Sequence, residues 1–470
     1  MSSFEYPSAD YQGKRSGYPL LDALPAQMSV SELQAALLHV PALPDGFKKL
    51  SASERLVLAE NIQDIYVPLD YAAITYNLIY SGIRSSYRNK TKAVITRNLS
   101  LIGKAIGQRD PFAAAGVTAQ AESFSLLGEP GMGKTETVTR ILNTIPQVIR
   151  HTQYMGEPFE EYQIVYLKIE CPANNSPRGA CFQILAAIDD LLGTALCEEG
   201  RRSKYSVDTL IMRIAQICTR FHVGCIVIDE IQNILSANSV QPSANNQLVK
   251  FLVEIANKTG VCIAYIGTPA IAPYFDSEAH LARRTRGPRI PPLAKGRAFE
   301  TILRTMWGNI PVLHPEPLTS AKTDLIYRLT GGVLAKLQKL VAMSARHAIY
   351  FGSERVTDDL IRKVSKQYNI APAQSALSAD APELILASEA ATPFHTPGLS
   401  APPACSIEPA NMGTGTEDST PKRGRGRPRA ERDPNDLLVL YAQCRENGWL
   451  VTKALADAGL LEGGSHVFTL

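Results

Sequence analysis

The chain has 470 residues, 45% of them hydrophobic, and a formal net charge of +3. That length and apolar share suit a soluble protein with one sizeable core and smaller appended regions, about two to four units. The near-balanced charge excludes a polycation, so any nucleic-acid surface must be local.

In chain order, residues 1–75 read as short helices forming a partner-binding region. Two capping boxes mark helix starts there, Ser29 with Glu32 and Ser51 with Glu54. The stretch "YPSADYQGKRSGYP" is polar, aromatic and turn-rich, and is expected to order only on a partner. From 76 to 310 an α/β pattern runs. "SFSLLG", "QIVYLKIEC", "GCIVIDE" and "VCIAYIG" read as strands. "CFQILAAIDDLLGTAL", "VDTLIMRIAQICTRF" and "NNQLVKFLVEIANKTG" read as the helices between them. Strands alternating with helices predict a three-layer fold around a parallel sheet. Residues 311–370 read as a helical lid, with two helices around Gly331-Gly332 and a third in "TDDLIRKVSKQY". Rich in Ala, Pro, Ser and Thr, 371–421 is expected to be a disordered linker, and 422–470 a basic segment followed by a short helical one.

The eight cysteines show no C-x-x-C pair and no metal-ligand spacing, and most lie in apolar runs, which predicts reduced, buried thiols. With no charged-then-apolar leader and no run of about 18 apolar residues, the expected home is the cytoplasm, with no membrane partner.

The most specific chemistry lies in "SLLGEPGMGKTETVTRIL". Gly128, Gly131, Gly133, Lys134 and Thr135 fit G-x-x-x-x-G-K-T between a strand and a helix. Backbone amides of such a loop wrap a β-phosphate with help from the helix N-terminus, and Glu129, Pro130, Met132 and Glu136 complete the stretch assigned to ATP. Lys134 would bridge the β- and γ-phosphates of ATP, and the Thr135 hydroxyl would ligate Mg²⁺. In "CIVIDEIQNI", Asp229 would hold the Mg²⁺ shell and Glu230 would polarise the attacking water; alone, the pair reads more readily as a solvated strand end, and the loop at 128–135 reverses that. A strand between the two motifs implies that the carboxylate strand does not directly neighbour the loop strand.

Thr268 ends "VCIAYIG", where a polar side chain can contact the γ-phosphate or the water; Thr-Pro there is also ordinary turn chemistry. Arg283, Arg284, Arg286 and Arg289 crowd "AHLARRTRGPRI". One of them can serve a neighbouring subunit's site, and any one reads equally as a solvated face or a DNA-phosphate contact. Lys336 in the lid reads as a γ-phosphate contact or as plain surface. In the tail, Arg425-Gly426-Arg427-Pro428 resembles an AT-hook for a narrow minor groove; the alternative is a non-specific electrostatic tether.

These motifs together resemble an AAA+ ATPase. "LNTIPQVIRH", "QIVYLKIECPANNS", "VIDEIQNILSA", "IAYIGTPA" and "ARRTRG" look, more narrowly, like the TnsC/TniB family of regulators of Tn7-like transposition, over roughly residues 76–370. The resemblance implies an ATP-dependent DNA-binding regulator that assembles on duplex DNA, largely without regard to sequence, as rings (heptamers among them) or short filaments. Such a protein links a target-selection protein of the TnsD/TniQ type to transposase subunits of the TnsA/TnsB type, and hydrolysis dismantles the assembly. It carries the ATP-site roles onto Lys134, Thr135, Asp229, Glu230 and Thr268, and an arginine finger into 283–286. DNA contacts would include the "RRSK" stretch with Arg201, Arg202 and Lys204, and the closing segment looks like the family's transposase-contacting tail. Three competitors share parts of the pattern: a replication initiator or helicase loader, a nucleotide-gated scaffold that binds no DNA, and a metabolic P-loop kinase.

Overall fold

In the computed structural model, described for residues 5–107, 122–173, 176–235, 247–276, 285–372 and Leu384, seven strands form. They are β1 (Phe124–Gly128), β2 (Val148–Tyr154), β3 (Glu157–Ile164), β4 (Tyr166–Glu170), β5 (Cys225–Asp229), β6 (Cys262–Gly267) and β7 (Arg289–Ile290). β4-β5-β6-β1-β7 make one parallel sheet, and β2-β3 a separate antiparallel hairpin. Every residue of β1, β5 and β6 is buried, as expected of a sheet covered on both faces.

Period-two alternation divides these strands between two cores. Phe124, Leu126, Cys225, Val227, Cys262, Ala264 and Ile266 face one, which also holds the helices Asp70–Tyr87 and Lys134–Asn143 and the C-terminal helices. Leu127, Ile226, Ile228, Ile263 and Tyr265 face the other, built by the helices Pro177–Leu192, Val207–Arg220 and Gln247–Thr259. The expected three-layer α/β architecture is therefore present.

Both predicted capping boxes form, with Ser29 and Ser51 accepting from the amides of Glu32 and Glu54. Gly331 (φ 60°) ends the helix Ser320–Thr330, the helix Leu334–Tyr350 follows, and Thr357 caps the third, Asp358–Gln367. Cys171, Cys181, Cys218, Cys225 and Cys262 are buried and Cys197 is half-buried, all as free thiols. Burial pushes the Cys171, Cys181 and Cys218 thiols up to about 12.

Four expectations need correction. "QIVYLKIEC" is two strands: Gln163 and Ile164 close the hairpin, and only Tyr166–Glu170 enters the sheet. The boundary at 75/76 falls inside the helix Asp70–Tyr87, whose Tyr76, Ile79 and Ile83 share a core with Val227 and Ile266 of the sheet. The helix Ala52–Glu60 is likewise joined to the C-terminal helices: Arg55 and Glu354 form a buried two-pronged pair at 2.6 and 2.8 Å. The C-terminal helical unit begins before 311, because Phe299 and Ile302 of the helix Arg297–Gly308 pack in the same core as Leu337 and Leu340. Of the expected linker, only Ala371, Pro372 and Leu384 are described; Leu384 is 5% exposed and packs in the main core. Residues 422–470, with Arg425 and Arg427, lie outside the described residues.

The fourth correction concerns "YPSADYQGKRSGYP", which packs on this chain's own hairpin. Ala9 N–H donates to the Arg150 carbonyl (2.7 Å), and Arg150 N–H to the Pro7 carbonyl (3.0 Å). Tyr6 meets Tyr162 edge-on, and Tyr11 meets Tyr154. The aromatic residues that suggested a partner supply the apolar area for this contact.

His151 anchors it. Its Nε2–H donates to Gln163 Oε1 (2.9 Å), and its Nδ1 accepts the Tyr11 hydroxyl (2.7 Å). Burial lowers its pKa from 6.5 to about 4. Below pH 6.5 the unfolded chain takes up a proton that the folded chain refuses until about pH 4, so stability present above 6.5 drains as pH falls through that window. Up to about 3 kcal/mol is at stake. Urea melts of wild type and His151→Gln from pH 7 to pH 4 should diverge in the expected sense, the wild type losing more; parallel curves would refute it.

Candidate nucleotide-binding site

β1 delivers the chain to the loop at 128–133, and the helix Lys134–Asn143 leaves it. The loop's curvature rests on two left-handed residues, Gly131 (φ 84°) and Gly133 (φ 79°), a region costly for residues with a Cβ. Gly133 caps the helix, so the free amides of its first turn point into a cleft of about 570 Å³.

Pro130, Gly131, Gly133, Lys134, Thr135, Glu136, Asp229, Glu230 and Thr268 all line this cleft. Residues separated by a hundred positions in sequence meet because β5 and β6 run parallel to β1 and end on the same side. β6 lies between β1 and β5, while β4 is at the sheet edge. The carboxylate strand is thus kept from the loop strand by β6 and not by the strand that separates them in sequence. Gly128 and Glu129 sit at the loop's base, and buried Met132 anchors its underside.

Lys134 Nζ donates to the carbonyls of Gly128 (2.8 Å) and Glu129 (3.0 Å). Burial lowers its pKa, and the carboxylates of Glu230, Asp229 and Glu129 oppose that shift. Glu230 is held at φ 53°, left-handed for a residue with a long side chain, and its amide donates to Asp229 Oδ1 (2.9 Å). Its side chain accepts from Gln232 Nε2, while Gln232 Oε1 accepts the Thr268 amide (3.0 Å).

The fourth wall comes from outside the motifs. Ile65, Tyr66, Val67 and Leu69 line the cleft from the N-terminal side, and Ile302, Met306 and Gln338 from the C-terminal helices. Tyr71 donates to the Met132 carbonyl (3.0 Å), so its oxygen accepts from Thr137 (2.8 Å), and Thr137 in turn accepts from Tyr66 (2.8 Å). Both phenols stay protonated: burial pushes Tyr66 up to about 12 and Tyr71 further. The relay ties the N-terminal segment to the helix that starts at the loop. Ala335 N–H closes the other side on the Gly131 carbonyl (2.9 Å). Sequence reasoning missed these wall residues, which belong to no motif; some fifty residues or more separate each of them from the loop, and only folding brings them to it.

Lys336 does not reach the cleft. Ala335 and Gln338 face it, and Lys336 points away to the Ala371 carbonyl (2.6 Å), because one step of a helix turns a side chain by about 100°. Arg286 is exposed and lines no part of its own chain's cleft, whereas Arg289 is half-buried and donates to Ser125 Oγ (3.3 Å). Arg283 and Arg284 lie outside the described residues. Arg201, Arg202 and Lys204 are exposed on and just after the helix Leu196–Arg202, away from the cleft lining; Arg201 stacks over Phe182 at 5.4 Å and Arg202 pairs with Glu198.

Residues 118–275, which hold the loop, the carboxylates and Thr268, match the family model of an AAA domain. The fold is the P-loop AAA+ fold. Among solved structures, the chain is similar to the ORC2 protein of Aeropyrum pernix in its ADPNP-ADP complexes, with 16% identity, 60% of this chain and 70% of that one covered, and a TM-score of 0.36. It is also similar to Drosophila ORC bound to DNA, with 15% identity, coverage of 70% and 68%, and a TM-score of 0.37. A third is Cdc6p from Pyrobaculum aerophilum, with 15% identity, coverage of 63% and 72%, and a TM-score of 0.36. No curated protein matches the sequence. Among the described residues of this AAA+ fold, no helix is long and apolar enough to cross a membrane.

Proposed function

We propose that the chain is an ATPase whose nucleotide state controls its assembly on duplex DNA, in the role of a TnsC-type regulator of transposition. The observation that carries the ATPase reading is the convergence of the glycine loop, Lys134, the Asp229-Glu230 pair and Thr268 on one cleft. The loop amides and Lys134 would hold the phosphates. Thr135 and Asp229 are oxygen donors facing the same space, which suits Mg²⁺, a cation bound by few carboxylates together with substrate phosphates. Bound there, Mg²⁺ would neutralise charge on the phosphate oxygens. Glu230 would orient the attacking water, with Thr268 beside it at the β6 end. The apolar wall of Ile65, Val67, Leu69, Ile302 and Met306 suits the flat face of adenine.

Arg286 supports a shared site: exposed and outside its own cleft, it is free to serve a neighbouring subunit. ATP at a subunit boundary would tie assembly to nucleotide state, and assembly would turn many weak phosphate contacts into tight, sequence-tolerant DNA binding. The transposase and target-selector partners rest on the sequence resemblance alone.

The test is electron microscopy of the purified chain with duplex DNA, with and without a slowly hydrolysed ATP analogue. Rings or filaments on DNA only with the analogue are expected. A monomer indifferent to duplex under both conditions would refute the assembly reading. Nucleotide-dependent assembly that never stimulates a cognate transposase would favour the initiator or loader reading.

A further inference from the structure

Gln232 lies within the carboxylate motif "CIVIDEIQNI", which gave it no role, and it stands between Glu230 and Thr268 in the cleft. Its carboxamide is oriented by both: Nε2 donates to Glu230 Oε2, and Oε1 accepts the Thr268 amide at 3.0 Å. The flanking backbone is shaped around this bridge. A Cβ on Gly267 would stand 2.6 Å from Gln232 Oε1 and 2.6 Å from Ile231 Cγ2, so the β6 end leaves the amide its place only because glycine is there. Glu230 is left-handed at φ 53°, a strained setting that the Asp229 hydrogen bond and the Gln232 bridge help to maintain.

We infer that Gln232 is a positioning residue that fixes the Glu230 carboxylate and couples it to the end of β6. The amide donor occupies one oxygen of Glu230 and leaves the other for water. A glutamine is suited to this because one planar group offers a donor and an acceptor on opposite sides. A shift of the Thr268 backbone on phosphate contact passes to Glu230 through a single rigid group. The inference rests on the ATPase reading of the cleft.

The experiment is ATP turnover by the full-length chain with Mg²⁺ and duplex DNA, comparing wild type, Gln232→Ala and the isosteric Gln232→Glu, each with Glu230 intact and with Glu230→Gln. Gln232→Glu keeps size and the acceptor for Thr268 N–H but cannot donate to Glu230. Both single variants should lower kcat roughly tenfold, with KM for ATP within about twofold of wild type. In the Glu230→Gln background neither should add a further loss, since they act through that carboxylate. Wild-type kcat in Gln232→Glu, or full additivity with Glu230→Gln, overturns the inference while leaving the ATPase reading in place. A wild type that binds ATP and never hydrolyses it removes both.

Discussion

Glu230→Gln is expected to slow ATP hydrolysis by about a hundredfold or more while ATP remains bound. The substitution keeps the side chain's length and its place beside Gln232, and it removes the negative charge that can draw a proton from water. In the proposed site the phosphate contacts would come from the loop and Lys134, so nucleotide affinity should change little. If hydrolysis drives disassembly, oligomers formed by the variant should persist on DNA. Single-turnover hydrolysis and the lifetime of DNA-bound complexes measure the two halves separately. Faster disassembly than the parent would contradict the assigned role, even if hydrolysis slowed.

Lys134→Ala is expected to act earlier, at binding. The ammonium lines the cleft at the loop, held on the carbonyls of Gly128 and Glu129. A charged hydrogen bond to phosphate contributes up to about 3 kcal/mol, so ATP affinity should fall by up to about a hundredfold. The same deletion relieves the cost of burying an ammonium, so the folded chain should not lose stability in proportion. Titration with a fluorescent ATP analogue and a thermal melt separate these effects. Nucleotide-dependent assembly on DNA at wild-type ATP concentrations would be incompatible with the scheme.

The two variants fail in distinguishable ways because the structure puts their side chains on different strands' ends. Lys134 follows β1, whereas Glu230 follows β5, with β6 and Thr268 between. One loses the ligand and the other keeps it. That contrast makes the pair a stronger test of the cleft than either substitution alone.

Local rules made part of the molecule legible in advance. The glycine loop reads from sequence because the backbone near a phosphate tolerates few residue types, and its strand and helix flanks are adjacent in the chain. Capping boxes at Ser29 and Ser51 read for the same reason: donor and acceptor lie three residues apart. Runs such as "CIVID" read as strands because a sheet covered on both faces needs apolar residues throughout.

Whatever depends on contacts between distant segments had to wait for the tertiary structure. Composition made residues 6–19 look dependent on an outside partner, yet their tyrosines pack on this chain's own hairpin more than a hundred residues later. Lys336 had the right charge, but helix phase gave Ala335 and Gln338 the cleft. Tyr66 and Tyr71 belong to no motif and Gln232 has no assigned role within its own, and their contacts appear only where Thr137, Glu230 and Thr268 come within hydrogen-bond reach. By itself, the sequence determined a glycine-rich loop between strand and helix and a parallel α/β core, because both follow from residues close along the chain. Only folding decided which walls close the cleft, since hydrogen bonds and van der Waals contacts act over a few ångströms of space, regardless of separation in sequence.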